Sequence, residues 1–310
     1  MKAIILENSG GTENLKLKEI EKSSIKNGEV LVQVKSVSIN PIDVKTRSGK
    51  GAFQKLKDEN PLILGWDISG IVIETNSSKF KINDEVFGMI NFPGHGKTYS
   101  EFVAASENHL ALKPKNINFE EAAATTLAAL TALQAIQKGE VKEGQNVLIH
   151  AASGGVGHFA VQISKYLGAS VTGTSSEKNR DFVLSLGADQ HIDYKKYNWE
   201  KSDEKFDFIL DTIGGENIDN SIKVLKKGGT IISIPSGLND DIEEKAASVN
   251  AKGFKMLVQS DGTDMEKLAG LLEKGDLKPY IYKTFKFEDM ANAHQELEKG
   301  RSVGKIVINF

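Results

Sequence analysis

From Gln145 onward the chain alternates short apolar runs with amphipathic ones, and this alternation restricts its fold more than any other feature. Val147-Leu148-Ile149-His150 reads as a strand, His158 to Leu167 as a helix, and Ser170-Val171-Thr172-Gly173-Thr174 as a second strand. A helix from Lys178 to Leu186 follows, then strands near His191-Ile192-Asp193, Phe206 to Leu210, Thr230 to Ile234 and Phe254 to Val258. Such a β-α-β succession implies a parallel, doubly wound sheet.

The first of these strands runs directly into Ala152-Ser153-Gly154-Gly155-Val156-Gly157 and then a helix. In that context Gly154 lets the backbone approach a pyrophosphate, Gly157 lets the helix pack on the sheet, and the free N–H groups of the helix N-terminus hold the anion. Ala152 stands where the usual G-x-G-x-x-G pattern has its first glycine. The acid that would bind the ribose of NAD about 20 positions on is absent. The next strand ends instead in Ser175-Ser176-Glu177-Lys178-Asn179-Arg180. Ser175 and Ser176 can donate to a 2′-phosphate, with Lys178 and Arg180 supplying charge, so the residues favour NADP over NAD. The competing reading has Ser176 capping the following helix and Lys178 on its solvated face.

The preceding 115 residues are β-rich. Glu29 to Val37 alternates apolar with polar side chains, and Ile68 to Glu74 and Asp84 to Gly88 read as further strands turning back into a barrel-like core. Helix signals there are weak. At Asn118 the pattern changes: Asn118 and Glu121 form a capping box for a helix running to Lys138, with Gly139 as its stop. Three segments remain after residue 260, at Met265 to Lys274, Phe287 to Lys299 and Lys305 to Phe310. The last can pack back on the first domain.

Composition removes several function classes. A net charge of −3 and a pI near 6.1 give no global attraction toward phosphate backbones or anionic lipid, so no nucleic-acid or membrane partner is expected. With no cysteine, disulfides, thiolate nucleophiles and thiolate-bound zinc are excluded together, and the six histidines show no metal-binding spacing. No run matches the roughly 20 apolar residues of a membrane helix, and the opening residues lack signal-peptide character, which makes the cytoplasm the default location.

Several ordered motifs extend the reading along nearly the whole chain: Asn40-Pro41-Ile42-Asp43-Val44-Lys45-Thr46-Arg47-Ser48-Gly49, Leu64-Gly65-Trp66-Asp67-Ile68-Ser69-Gly70, Asn83 to Gly88, the Ala152 to Gly157 turn, Leu186-Gly187-Ala188-Asp189, and Gly300 to Val307. Through them the chain resembles the medium-chain dehydrogenase/reductase superfamily, and within it the zinc-free quinone oxidoreductase group that includes zeta-crystallin and the plant alkenal reductases. Where zinc-dependent members carry Gly-His-Glu, this chain reads Gly65-Trp66-Asp67. The resemblance implies a GroES-like β-barrel catalytic domain over residues 1–117, a Rossmann domain over 118–260, and a segment 261–310 returning to the first.

It further implies that Asn40 and Lys45 face the nicotinamide half of the cofactor and that Gly155 and Val156 cover the pyrophosphate. Ser175, Ser176 and Lys178 read the 2′-phosphate, with Tyr194 beside them or the adenine. Ile234, Ser236 and Gly237 approach the nicotinamide, and Ser302 and Gly304 close the cleft. The activity implied is hydride transfer from NADPH to a quinone or an α,β-unsaturated carbonyl, with no metal and no protein acid to name, since the product anion can take its proton from water. Phe53, Phe92 and Tyr99 form either an apolar substrate wall or simple core. The alternative function is a nicotinamide-binding protein with little turnover and a structural, sensory or RNA-binding role. A homodimer joined through the strand at Phe254 to Val258 is expected.

Overall fold

In the computed structural model, which describes residues 1–310, the alternating runs near the N-terminus become antiparallel strands. β1 (Lys2–Leu6) pairs with β2 (Leu15–Glu19) as a separate ribbon. β3 (Glu29–Ile39) carries the longest alternation, and its buried side chains Val30, Val32, Val34, Val37 and Ile39 enter the core. Two short helices follow where helix signals are weak: α1 (Pro41–Arg47) and α2 (Phe53–Leu56). α1 begins because Pro41 is pre-set for a first turn and the Asp43 carboxylate accepts the Asn40 N–H at 2.6 Å. Then come β4 (Asp67–Thr75), β5 (Glu85–Met89), β6 (Phe102–Ser106) and β7 (Leu110–Leu112).

The capping box forms. Asn118 N–H donates to Glu121 Oε2 at 2.9 Å and Glu121 N–H to Asn118 Oδ1 at 2.8 Å, opening α3 (Phe119–Lys138). The helix ends at Lys138 as expected, but Gly139 is not left-handed. The left-handed residue is Glu140 (φ 53°). Gly139 serves packing instead, because a Cβ there would lie 2.2 Å from the Phe208 ring.

The second half is the anticipated α/β region: β8 (Asn146–Ile149), α4 (Gly157–Tyr166), β9 (Ser170–Ser175), α5 (Arg180–Ser185), β10 (Gln190–Asp193), β11 (Phe206–Asp211), α6 (Glu216–Val224), β12 (Leu225–Ser233), α7 (Ile242–Ser248) and β13 (Lys252–Lys255). All six strands are parallel, in the order β10-β9-β8-β11-β12-β13. This is the doubly wound order in which the first strand lies beside the fourth. Leu148, Ile209, Ile231, Ile218 and Trp199 fill the core on one face of the sheet. The outer strand lies at Lys252–Lys255 rather than Phe254 to Val258. Gly253 sets this placement, since a Cβ there would stand 2.3 Å from the Ile242 carbonyl of α7, and Leu257 beyond it is 47% exposed.

The chain ends with α8 (Gly262–Lys274), β14 (Ile281–Lys286), α9 (Met290–Glu298) and β15 (Lys305–Asn309). β15 pairs antiparallel with β3 and parallel with β14, completing a mixed sheet ordered β14-β15-β3-β4-β5-β7, with β6 on β3. Two units result, Met1–Leu130 with Val258–Phe310, and Thr131–Leu257. The boundary falls inside α3.

Candidate functional site

In the second unit the chain leaves β8 toward β9 and leaves β11 toward β12, so the ends of β8 and β11 form the switch point where open α/β sheets bind ligands. The glycine-rich turn occupies that position. A Cβ on Gly157 would meet the Ala151 carbonyl at 2.2 Å, and one on Gly154 would stand 3.1 Å from the same oxygen. Ala152 is accommodated because Gly173 faces it, where a Cβ would come within 2.8 Å of the Ala152 methyl. Val156, preceding α4, provides no side-chain cap. The Gly154 and His158 N–H groups donate to the Ala151 and Gly154 carbonyls at 2.8 and 3.1 Å, which leaves those of Gly155, Val156 and Gly157 for an external anion. His158 secures the turn, its Nδ1–H donating to the Gly154 carbonyl at 2.9 Å.

The exits of β9 and β10 lie beside this turn. Ser175 is buried, Ser176 half-buried and Lys178 exposed. Ser176 makes no side-chain cap to the following helical turn. Ser175 Oγ donates to the Ser176 carbonyl at 3.1 Å and lies 2.8 Å from His191 Nε2. Asn179 Nδ2 donates to Ser153 Oγ at 3.0 Å, tying the β9 exit to the glycine-rich turn. Tyr194 follows β10 and is 50% exposed, and its N–H donates to the Ser175 carbonyl at 3.3 Å.

At the end of β11 the buried Asp211 carboxylate accepts from Ser233 Oγ (2.6 Å), Asn217 Nδ2 (2.8 Å), and the Gly214 and Ile213 N–H groups, fixing the turn into α6. Ile234, Ser236 and Gly237 continue from β12; Ile234 N–H donates to the Asp211 carbonyl, and Gly237 takes a left-handed φ of 79° with open space around it. Gly154, Gly155, Val156, Gly157, Ser175, Ser176, Lys178, Tyr194, Ile234, Ser236 and Gly237 thus share the C-terminal edge of one parallel sheet. Beneath them His150 is fully buried. Its Nε2 lies 3.0 Å from Ser221 Oγ, whose own hydrogen points to the Asn217 carbonyl. His150 therefore donates from Nε2 and accepts the Thr174 hydroxyl at Nδ1 (3.2 Å), and burial pulls its pKa down to about 4.

Asn40, Lys45, Ser302 and Gly304 belong to the first unit. The Asn40 side chain is 2% exposed and committed inward: Nδ2 donates to Asp67 Oδ2 at 2.8 Å and Oδ1 accepts from Lys305 Nζ at 2.5 Å. Asp67 also accepts from Ser38 Oγ and from the Leu127 N–H of α3. Lys305 Nζ lies 3.8 Å from Asp67, and burial lowers its pKa. Burial, then the charge of Asp67, raises the Asp43 carboxyl to about 7. Lys45 is half-buried on α1, and Ser302 is half-buried. Gly304 is dictated by backbone approach, since a Cβ would stand 2.1 Å from the Tyr280 carbonyl where β15 joins β14. Phe92 and Tyr99 are core residues at 6% and 0% exposure, and Phe53 is half-buried.

Asp67, Lys305, His158, Asn179 and His191 were not foreseen. A lysine heading the apolar run Lys305-Ile306-Val307-Ile308 was the available signal for a buried partner. Trp66, in the segment aligned with Gly-His-Glu, is fully buried, donating Nε1–H to the Gly94 carbonyl at 2.7 Å and meeting Phe92 edge to face. No group of three or more His, Cys, Asp or Glu is arranged to hold a metal, and no helix is long and apolar enough to cross a membrane.

Comparison with known proteins agrees with this architecture. Residues 26–115 match the alcohol dehydrogenase GroES-like domain, and residues 186–308 the family described as zinc-binding dehydrogenase. The chain is 35% identical to 2-methylene-furan-3-one reductase of Solanum lycopersicum, over all of this chain and 79% of the relative. It is 34% identical to the chloroplastic NADPH-dependent alkenal/one oxidoreductase of Arabidopsis thaliana, over 99% of this chain and 79% of the relative. Among solved structures, the quinone oxidoreductase of Coxiella burnetii superposes with a TM-score of 0.94 at 37% identity, covering 100% of this chain and 99% of that one. A GroES-like unit with a Rossmann unit, and relatives of this identity along the full length, make the chain a member of the medium-chain dehydrogenase/reductase family, alongside quinone oxidoreductases and alkenal/one reductases.

Proposed function

We propose that this chain is an NADPH-dependent oxidoreductase that delivers a hydride to a quinone or to the β-carbon of an α,β-unsaturated carbonyl, without zinc. The observation that carries the reading is the glycine cradle at the switch point, without a side-chain cap and followed by a β9 exit bearing the hydroxyls of Ser175 and Ser176, with Lys178 beyond an exposed Glu177. The names of the full-length relatives support the same cofactor and substrate classes. Bound NADPH supplies the hydride. The protein's own contribution is positional. Gly155, Val156 and Gly157 hold the pyrophosphate through backbone N–H groups, Gly154, whose own N–H donates to the Ala151 carbonyl, lets the backbone approach it, and Ser175, Ser176, Lys178 and Tyr194 take the 2′-phosphate and adenine end. Ile234, Ser236 and Gly237 are assigned to the nicotinamide end. The first-unit assignments of Asn40, Lys45, Ser302 and Gly304 rest on the family resemblance. Because Asn40 is held by Asp67 and Lys305, its role is to keep one fixed orientation.

The zinc-free reading rests on the donor set: no cysteine, a packed Trp66, and no ligand cluster. We also assign a homodimer joined through β13, whose outer edge has unpaired backbone groups, and a cytoplasmic location. The functional test follows loss of the reduced-nicotinamide absorbance with NADPH or NADH against an ortho-quinone and a short 2-alkenal. Turnover preferring NADPH supports the proposal, and the faster acceptor names the substrate class. Preference for NADH overturns the cofactor assignment. Tight NADPH binding without turnover by any acceptor favours a binding protein instead.

A further inference from the structure

The hydroxyl expected to read a 2′-phosphate is not free-standing. Ser175 Oγ is buried at the end of β9, its hydrogen directed to the Ser176 carbonyl 3.1 Å away. His191 Nε2 lies 2.8 Å from the same oxygen, and since an Nδ1–H tautomer would leave a buried donor with no acceptor, the ring carries its hydrogen on Nε2 and donates to Oγ. His191 lies on β10 in register with Gly173, two residues before the Asp193 that pairs with Ser175. Its Nδ1 is buried without a partner, so Nε2–H···Oγ is the single polar anchor of the ring. The surrounding charges are mixed, with Arg180 opposed by Glu177 and Asp193.

We propose that His191 is a specificity-determining positioning residue for the 2′-phosphate of the cofactor, acting through Ser175; this rests on the NADP reading above. When Ser175 turns its hydrogen from the Ser176 carbonyl to a phosphate oxygen, His191 Nε2–H continues to donate into Oγ. The donor chain His191–Ser175–phosphate keeps the hydroxyl in place and polarises it, so the serine binds the phosphate as a stronger donor than a lone hydroxyl. A ribose 2′-hydroxyl, uncharged and able to donate itself, gains much less from this arrangement. His191 thus separates phosphorylated from unphosphorylated ribose without touching either.

The test is calorimetric binding of adenosine 2′,5′-bisphosphate and of 5′-AMP to the full chain, with no turnover involved. The wild type binds the bisphosphate more tightly. His191→Phe, which keeps the ring but removes the N–H, lowers that preference about fivefold to tenfold, the size of one hydrogen bond, and leaves 5′-AMP affinity unchanged. His191→Gln, whose amide N–H reaches a similar position, restores most of the preference. In a Ser175→Ala background His191→Phe has no further effect. A preference unaltered in His191→Phe overturns the inference, and so does loss of both nucleotides in that variant, which makes His191 a packing residue. If the wild type itself fails to prefer the bisphosphate, the NADP reading falls, and the inference built on it falls with it.

Discussion

At the scale of single residues the first unit is governed by charges taken out of water. Asp67, fully buried, has Ser38, Asn40 and the Leu127 N–H as donors and Lys305 as counter-ion. Removing one partner of such a pair leaves the other uncompensated. Lys305→Met is expected to cost roughly 3–5 kcal/mol in urea unfolding, and adding Asp67→Asn should recover part of the loss. The buried histidines set the acid response. Burial, and for His294 also Arg47, lowers the folded pKa of His150 to about 4 and of His294 to about 3. As pH falls below the ordinary value near 6.5, the unfolded chain takes up protons first, so the stability these rings contribute above that pH is lost toward pH 4. Asp43 acts in the opposite sense. Raised to about 7, its contribution is fully present near pH 4 and disappears as pH rises through 7. Two rings outweigh one carboxyl, and the urea midpoint should fall between about pH 6.5 and 4. The fall should be shallower in His294→Gln and steeper in Asp43→Asn.

At the scale of elements the glycine positions separate those fixed by shape from those left open. Gly157→Ala forces a methyl against the Ala151 carbonyl, so α4 must move off the sheet. A stability loss of roughly 1–3 kcal/mol is expected from the overpacking, together with a loss of NADPH affinity measurable by cofactor fluorescence. Gly173→Ala should be similarly harmful, since its methyl would meet Val183 Cγ1 as well as the Ala152 methyl, and Ala152→Gly should relieve it only in part. This exchange also accounts for the departure from the usual pattern at Ala152. The β-α alternation was legible because the central strands β8, β9 and β11 are buried on both faces, whereas the edge strands β10 and β13 are largely polar. The short helices α1 and α2 were hidden, since their formation depends on Asp43 accepting the Asn40 N–H and on tertiary burial rather than on periodicity. The residues along the C-terminal edge of the parallel sheet could be placed from strand ends. The partners behind them, His191 and Asn179, become visible only once β9 and β10 are in register and the turn is folded.

At the scale of the whole molecule the first unit is discontinuous in sequence. The second unit's residues lie between the two segments that build the first, and β15 enters the sheet between β14 and β3. Deleting residues 300–310 therefore removes both the strand joining β14 to β3 and the Lys305 counter-ion, and is expected to unfold the first unit selectively. The chain contains two tryptophans, Trp66 in the first unit and Trp199 in the second, both buried, so a Trp66→Phe and a Trp199→Phe background would each report one unit by fluorescence. The expected outcome is loss of the Trp66 signal with retention of that from Trp199. The same arrangement bears on biosynthesis. A ribosome releases every strand of the parallel sheet before it makes β15, so the inserted unit can complete its core while the Ser36–Ile39 end of β3, beyond the stretch that β6 covers, still waits for a neighbour synthesised more than 260 residues later. Over that interval this end of β3 is an open strand edge exposed to aggregation and a place for a chaperone to bind.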